Sequence, residues 1–438
     1  MLLFIYWVAF RSGRLNSIKL HVLFTLSVPI LLLAAIQIAF GTNTLLIALY
    51  GVRSYLLHLP LVLIIADIFT PGDVKEVGRW LLIVSVPIAF LMLAQYRASS
   101  NSWLNATGGG DTGQIHSADG HVRASGPFSF ISGPICFFPI AQAFLFYALG
   151  RPRTYPKWIL VPSAAAVIMA LPLSGSRTLL FIMGGVATFA LVSGFRTRRA
   201  FGRLIQALAI VGIGSVVALQ VPVIQEAVHT FQDRWQAASQ VEGDLEGTLS
   251  IRVLGVVTNA FDSAGTGSWL GEGIGMGSNV AAYLQTGSLT FLVAEMEWQR
   301  VVLEFGPILG LGFMMFRVLI CADLFSSALR ALKRDSNLSL MLVAATAPVL
   351  LMNFMEQPTS LGFMVFGAGL CFAAAKRPSH RSSCHIRSDA ARLSDRVVSG
   401  ERRREEVALV NGANLSHFHE DRVHGRRPQG PLPLQGIN

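Results

Sequence analysis

The chain has 438 residues, 52% of them hydrophobic and only 14% charged, with a mean hydropathy of +0.53. A soluble domain carries about a quarter charged residues, so a water-soluble globular protein is excluded and an integral membrane protein is expected. The net charge of +10 suggests nucleic acid until it is mapped, but most of it lies in short gaps between apolar runs and in the C-terminal segment, where membrane topology places it, so no nucleic-acid partner is expected.

In hydrocarbon a helix satisfies its own backbone polar groups, and about 20 apolar residues cross the bilayer core, so the expected fold is all-α, a polytopic membrane helical bundle. Met1 to Phe10 is apolar but too short to span. Arg11, Arg14 and Lys19 follow it instead of preceding it, an order unlike a signal peptide, and the segment reads as interfacial or as the remnant of an earlier span. About ten transmembrane helices follow, at residues 20–40, 45–69, 80–96, 128–149, 158–173, 178–194, 204–221, 299–320, 339–355 and 361–375.

With residues 11–19 in the cytoplasm, every second gap is cytoplasmic and basic: Arg151, Arg153 and Lys157; Arg196, Arg198, Arg199 and Arg203; Arg330, Lys333 and Arg334. The opposite gaps, 41–44, 97–127, 174–177, 222–298 and 356–360, are poor in basic residues. Residues 1–375 therefore read as one transmembrane bundle that includes an extracytoplasmic loop, 222–298. That loop carries nine acidic residues against Arg234 and Arg252, which marks it as a folded segment. Its His229, Phe231 and Trp235 are spaced for an amphipathic helix lying against the membrane. Residues 376–438, rich in Arg, Ser, Pro and His, read as a disordered basic cytoplasmic tail, which leaves both chain ends in the cytoplasm.

Cys136, Cys321, Cys371 and Cys384 supply no pair in an outer gap, so no disulfide framework is expected. His417 and His419 read as solvated, and no metal or cofactor is assigned. Gly271, Gly273, Gly275 and Gly277 resemble a nucleotide loop only superficially, since no βαβ unit surrounds them; flexible packing against the membrane-facing part of the loop is expected instead.

The candidate chemistry rests on arginines left on the outer side. Arg177 lies in a tight Ser174-Gly175-Ser176 turn, where it is either an interfacial anchor or a binder of a bulky anion. Arg123, ahead of the fourth span, and Arg252, in the long loop, add permanent charge on the same side, and arginine's planar fork suits bidentate phosphate binding. Arg53 lies about 12 Å inside the second span at 1.5 Å per residue, a depth at which it should face the bundle or a water-filled cavity, or pair with a neighbouring helix. Glu297 with Arg300, and Arg300 with Glu304, have ordinary helix ion-pair spacing, which leaves Glu295 as the freer carboxylate.

These residues together resemble the O-antigen ligase and polymerase family of bacterial envelope glycan enzymes, sometimes called Wzy-like. The similar features are the run Arg123 to Phe128, Gly175-Ser176-Arg177, Ser250-x-Arg252, the glycine-rich Gly271 to Gly277, and Glu304-x-Gly306. Tyr50 to Leu56 and Gln95 to Asn105 look like the polysaccharide-polymerase branch. The resemblance spans about residues 40 to 370 and implies a GT-C-like fold and a location in the bacterial inner membrane. It also implies metal-independent, inverting glycosyl transfer from an undecaprenyl-diphosphate-linked glycan at the periplasmic face, with a chain-length regulator as a further partner.

In the ligase branch a histidine precedes the eighth span; here the corresponding residue, counted back from Gly306, is Glu295, which favours a polymerase. On this reading Arg177 and Arg252, with Arg123 or Arg53, bind the diphosphate, and Glu295 is the general base. The alternatives are an O-antigen ligase acting on lipid A core, or a transporter of lipid-linked glycan or a small anion.

Overall fold

The computed structural model describes residues 17–106, 122–151, 153–194, 222–242, 255–288 and 292–377, with scattered positions between 201 and 220. The seventh expected span, 204–221, and the tail beyond residue 377 therefore fall largely or wholly outside the described residues, as does Arg252. Among the described residues the regular elements are all helical.

Six helices or continuous helical stretches are long and apolar enough to cross a bilayer. They are Leu45–Ile68, Pro71–Arg97 (α4), Ser132–Gly150 (α5), Lys157–Ser174 (α6), Arg177–Gly194 (α7) and Pro307–Leu332 (α12). Leu45–Ile68 comprises α2 (Leu45–Val52), a π-helical turn at Arg53–Leu57 and α3 (Leu59–Ile68). Three shorter apolar helices accompany them: the apolar part of α1 (Ser17–Ala39), α13 (Leu338–Met352) and α14 (Pro358–Ala374). The chain is a helical membrane protein. Residues 222–305 contribute α8 (Pro222–Glu242), α9 (Gly255–Thr266), α10 (Asn279–Thr286) and α11 (Glu297–Phe305).

Two boundaries differ from the sequence expectation. The third span begins at Pro71, nine residues before the apolar run, because Thr70 and Asp73 form a capping box that satisfies the first amide groups of α4. The run 299–320 is not one helix. Gly306, at φ +76° and followed by Pro307, separates the charged helix α11 from the apolar helix α12, and only α12 is long enough to span.

α5 is buried along its length from Ser132 to Ala148 and packs on α4, α6, α7, α13 and α14, as expected for a helix that is apolar on every side. Gly78 of α4 lies flat against the Phe144 ring, where any side chain would collide.

Polar side chains sort the gaps into two groups. At one end Arg151 donates to the Asp335 carbonyl, Arg334 to Ala375 at 2.6 Å, Lys376 to Asp67 and Phe69 at 2.6 and 3.1 Å, and the Tyr155 hydroxyl to Lys75 at 2.7 Å. At the other end Gln37 donates to Leu270 and Glu304, Asn43 to Ile274, Tyr50 to Glu356, and Gln95 to Gly126. In these bonds the basic gaps meet one another, and the gaps poor in basic residues do the same.

Candidate functional site

The turn between α6 and α7 is closed by Gly175 in the left-handed region, φ +56°, with its amide bonded to the Pro172 carbonyl at 3.1 Å. The buried Ser176 hydroxyl accepts the Leu179 amide at 3.3 Å, so Arg177 is the first residue of a capped helix. Arg123 reaches the same turn, its Nη2 donating to the Gly175 carbonyl at 3.1 Å, while the Ala124 amide donates to Leu173. Two arginines that are 54 positions apart in sequence thus share one turn at the end of the bundle poor in basic gaps.

The segment carrying Arg123 is held from below. Gln95 is buried and clamps Gly126 from both sides, accepting its amide at 2.7 Å and donating to its carbonyl at 2.8 Å, and Gly126 is itself left-handed at φ +66°. Asn105, also buried, donates to the carbonyls of Gln95, Ala98 and Ser99 and fastens the loop after α4 to the same point. From above, the Arg177 guanidinium lies 5.6 Å from the centre of the Trp235 ring on α8, and Phe181 and Phe231 lie 6.1 and 6.2 Å from that ring. The aromatic face expected to lie on lipid thus rests in part on α7 and Arg177. Tyr96 and the buried Thr230, hydroxyl to hydroxyl at 3.2 Å, tie α8 to the end of α4. A guanidinium backed by an aromatic ring at the start of a helix is suited to an anionic group.

A second cluster at the same end was not foreseen. Glu297, Arg300, Glu304, Arg317 and Glu356 are all buried, none more than 4% exposed. Glu297 bridges Arg300 and Arg317, the latter at 2.6 Å, and accepts the Met355 amide. Arg317 also donates to the carbonyls of Leu350 and Asn353, so it pins the turn after α13. Arg300 faces Glu304 at 4.0 Å and Glu356 at 3.5 Å, and stacks on the Phe354 ring at 4.3 Å. The helix spacing of Glu297, Arg300 and Glu304 matches the pairing read from sequence, but full burial makes the group a latch between α11, α12 and the 353–357 turn.

The glycine-rich run completes this latch, held by hydrogen bonds and close backbone packing. The amides of Gly275 and Gly277 donate to Glu304 at 3.0 and 2.7 Å, and the Tyr55 hydroxyl adds a third bond at 3.1 Å. Gly271, Gly273 and Gly275 all have positive φ, and Gly275 lies backbone to backbone on Gly51. The run cradles an anion, but the anion is the protein's own carboxylate.

Three carboxylates against two guanidiniums leave one negative charge in excess. Burial, more than any neighbour, raises the Glu304 carboxyl to about 7, and burial followed by the nearby Glu304 charge raises Glu356 well above the usual carboxylate range. Glu304 is saturated with donors, whereas neither Glu356 oxygen has a hydrogen-bond partner among the described residues. The proton that balances the cluster therefore belongs on Glu356.

Arg53 is exposed, with its guanidinium 4.8 Å from the centre of the Tyr50 ring. The Tyr50 hydroxyl donates to the Glu356 carbonyl at 3.2 Å, and Arg53 stands eight residues into the helical stretch that begins at Leu45, about 12 Å at 1.5 Å per residue. Glu295 is exposed, just before α11, and shares none of the latch's ion pairs. Arg317 and Glu356 were missed, although an arginine in the middle of an apolar run is itself a signal that the sequence carries. No protein-family model matches the chain, and no curated protein matches it.

Proposed function

We propose that this chain is a polymerase of lipid-linked oligosaccharide repeats, of the O-antigen ligase and polymerase type, acting at the periplasmic face of the bacterial inner membrane. The observation that carries the reading is the meeting of Arg123 and Arg177 at the Gly175 turn, beneath Trp235, at the end of the bundle where basic gaps are scarce.

In the proposed reaction an acceptor sugar hydroxyl attacks the anomeric carbon of the donor glycan. The new C–O bond forms as the bond to the undecaprenyl diphosphate oxygen breaks, and that oxygen leaves with the electron pair. The leaving group needs no proton but gains negative charge, so fixed guanidiniums are the catalytic resource. Arg177 and Arg123 supply two of them, with Arg252 and Arg53 as further candidates. Glu295 takes the acceptor proton as general base, a contribution of about 10² to 10⁴-fold. A single displacement inverts the anomeric centre, and no metal or cofactor enters.

Gel analysis of lipid-linked glycan from cells that lack the protein tests the reading. Accumulation of single repeats supports a polymerase. Long polymer left on its lipid carrier would reassign the chain as a ligase.

A further inference from the structure

At the opposite, basic end of the bundle a cavity of about 580 Å³ opens between the first turns of α4 and the turn that precedes α6. Lys75, Glu76 and Arg79 line it from α4, and Arg153 and Tyr155 from the turn. Glu76 pairs with Arg79 at 3.5 Å. Among the described residues, neither the Lys75 ammonium nor the Arg153 guanidinium has an ion pair or a side-chain hydrogen bond. The cavity, open to its surroundings, therefore holds an excess of two positive charges.

The wall bearing Arg153 is fixed in place. Arg153 adopts φ +74°, a backbone region that non-glycine residues seldom occupy. The turn is nevertheless pinned by the Thr154 hydroxyl on the Arg151 carbonyl at 2.8 Å and by the Tyr155 hydroxyl on the Lys75 carbonyl at 2.7 Å. That second bond joins the two cation-bearing elements directly. Beside the cavity, Trp80 and Trp158 are 59% and 67% exposed on the outer surface of α4 and α6. Exposed tryptophans on membrane helices settle at headgroup depth, so they set the level at which this cavity opens.

We propose that the cavity binds the phosphate of an anionic phospholipid headgroup, with Lys75 and Arg153 as its cationic partners. Arg153 offers a planar fork to the phosphate oxygens and Lys75 a point charge, while the acyl chains run past Trp80 and Trp158. The chemistry is shared with free inorganic phosphate; the headgroup-level opening favours the lipid. Nothing in this inference depends on the glycosyl-transfer reading.

The test is native mass spectrometry of the full chain in detergent, titrated with dioctanoyl phosphatidylglycerol, dioctanoyl phosphatidylcholine or inorganic phosphate. Phosphatidylglycerol is expected to bind at least about tenfold more tightly than phosphatidylcholine. The double variant Lys75→Gln/Arg153→Gln should lose that preference, and Arg330→Gln, an exposed arginine at the same end, should keep it. Arg153→Gly guards against misfolding, because glycine accepts φ +74° without strain and should leave the unliganded thermal midpoint undiminished while weakening lipid binding. Equal affinity for the two lipids, or undiminished phosphatidylglycerol binding by either cavity variant, would overturn the proposal. Inorganic phosphate binding as tightly as the lipid would overturn the assignment to a headgroup.

Discussion

Arg123 donates to the carbonyl of Gly175 at 3.1 Å, and so fastens the segment ahead of α5 to the turn that starts α7 with Arg177. Gly175 can present that carbonyl because it holds φ +56°, where a side chain would be strained. If the two arginines share a leaving diphosphate, each is worth more than a surface charge. Arg177→Ala is expected to lower polymer formation by about 10² to 10³-fold at normal protein level, the range seen when one donor to a developing anion is removed. Arg177→Lys should recover only part of this, because a lysine cannot make the bidentate contact. Full-length polymer from Arg177→Ala, scored by gel against quantified protein, removes the residue from the reaction.

Glu297 is the centre of the buried latch, and its removal strands Arg317, whose carboxylate partner among the described residues is Glu297, while Arg300 keeps Glu304 and Glu356. Glu297→Ala is expected to cost about 3 to 5 kcal/mol, the usual penalty for leaving a buried charge uncompensated. Glu295→Ala, at an exposed position, should leave stability unchanged and affect only turnover. Thermal unfolding of both variants in detergent checks the contrast. Equal midpoints would mean that the latch does not support the fold.

Raised carboxyls make stability depend on pH in a defined direction. Burial lifts Glu304 to about 7 and Glu356 above its ordinary 4.5, so the folded protein holds more protons than the unfolded chain across that window. The contribution of Glu304 is therefore complete below pH 4.5 and is lost as pH rises through about 7, and that of Glu356 is lost as pH rises through its own raised value. Glu356→Gln keeps the neutral form permanently. The thermal midpoint of the variant is expected to exceed that of wild type by more at alkaline than at acidic pH. A difference that is flat or shrinks from acidic to alkaline pH contradicts the placement of the proton.

A methyl group at Gly51 would lie 2.6 Å from the backbone nitrogen of Gly275. Neither side of that contact is a flexible side chain, so Gly51→Ala must push the glycine run away from α2 and loosen its grip on Glu304. Limited proteolysis should then cut the 267–288 region faster than in wild type, at least several-fold, while the apolar helices stay protected. Unchanged cleavage would show that the run can shift without cost.

The alternation of gaps was legible because arginine and lysine report it directly, and the contacts at each bundle end join the same gaps that the charge pattern joined. The aromatic spacing of Phe231 and Trp235 was likewise readable as one face of a helix. Other features depend on partners remote in sequence. The spacing of Glu297, Arg300 and Glu304 reveals an ion-pair pattern, but their burial comes from Arg317, Glu356 and the glycine run, which lie up to about 60 positions away. The break at Gly306 was hidden by the apolar stretch that continues on both sides of it.

The central claim is that the end of the bundle bearing Arg123 and Arg177 performs glycosyl transfer. Purified protein incubated with an undecaprenyl-diphosphate-linked oligosaccharide tests it most directly, with gel analysis of the glycan. The account predicts a ladder of repeats with release of undecaprenyl diphosphate, abolished by Arg177→Ala. Donor that remains unextended by the active preparation, or that crosses a vesicle membrane with no new glycosidic bond, would contradict it.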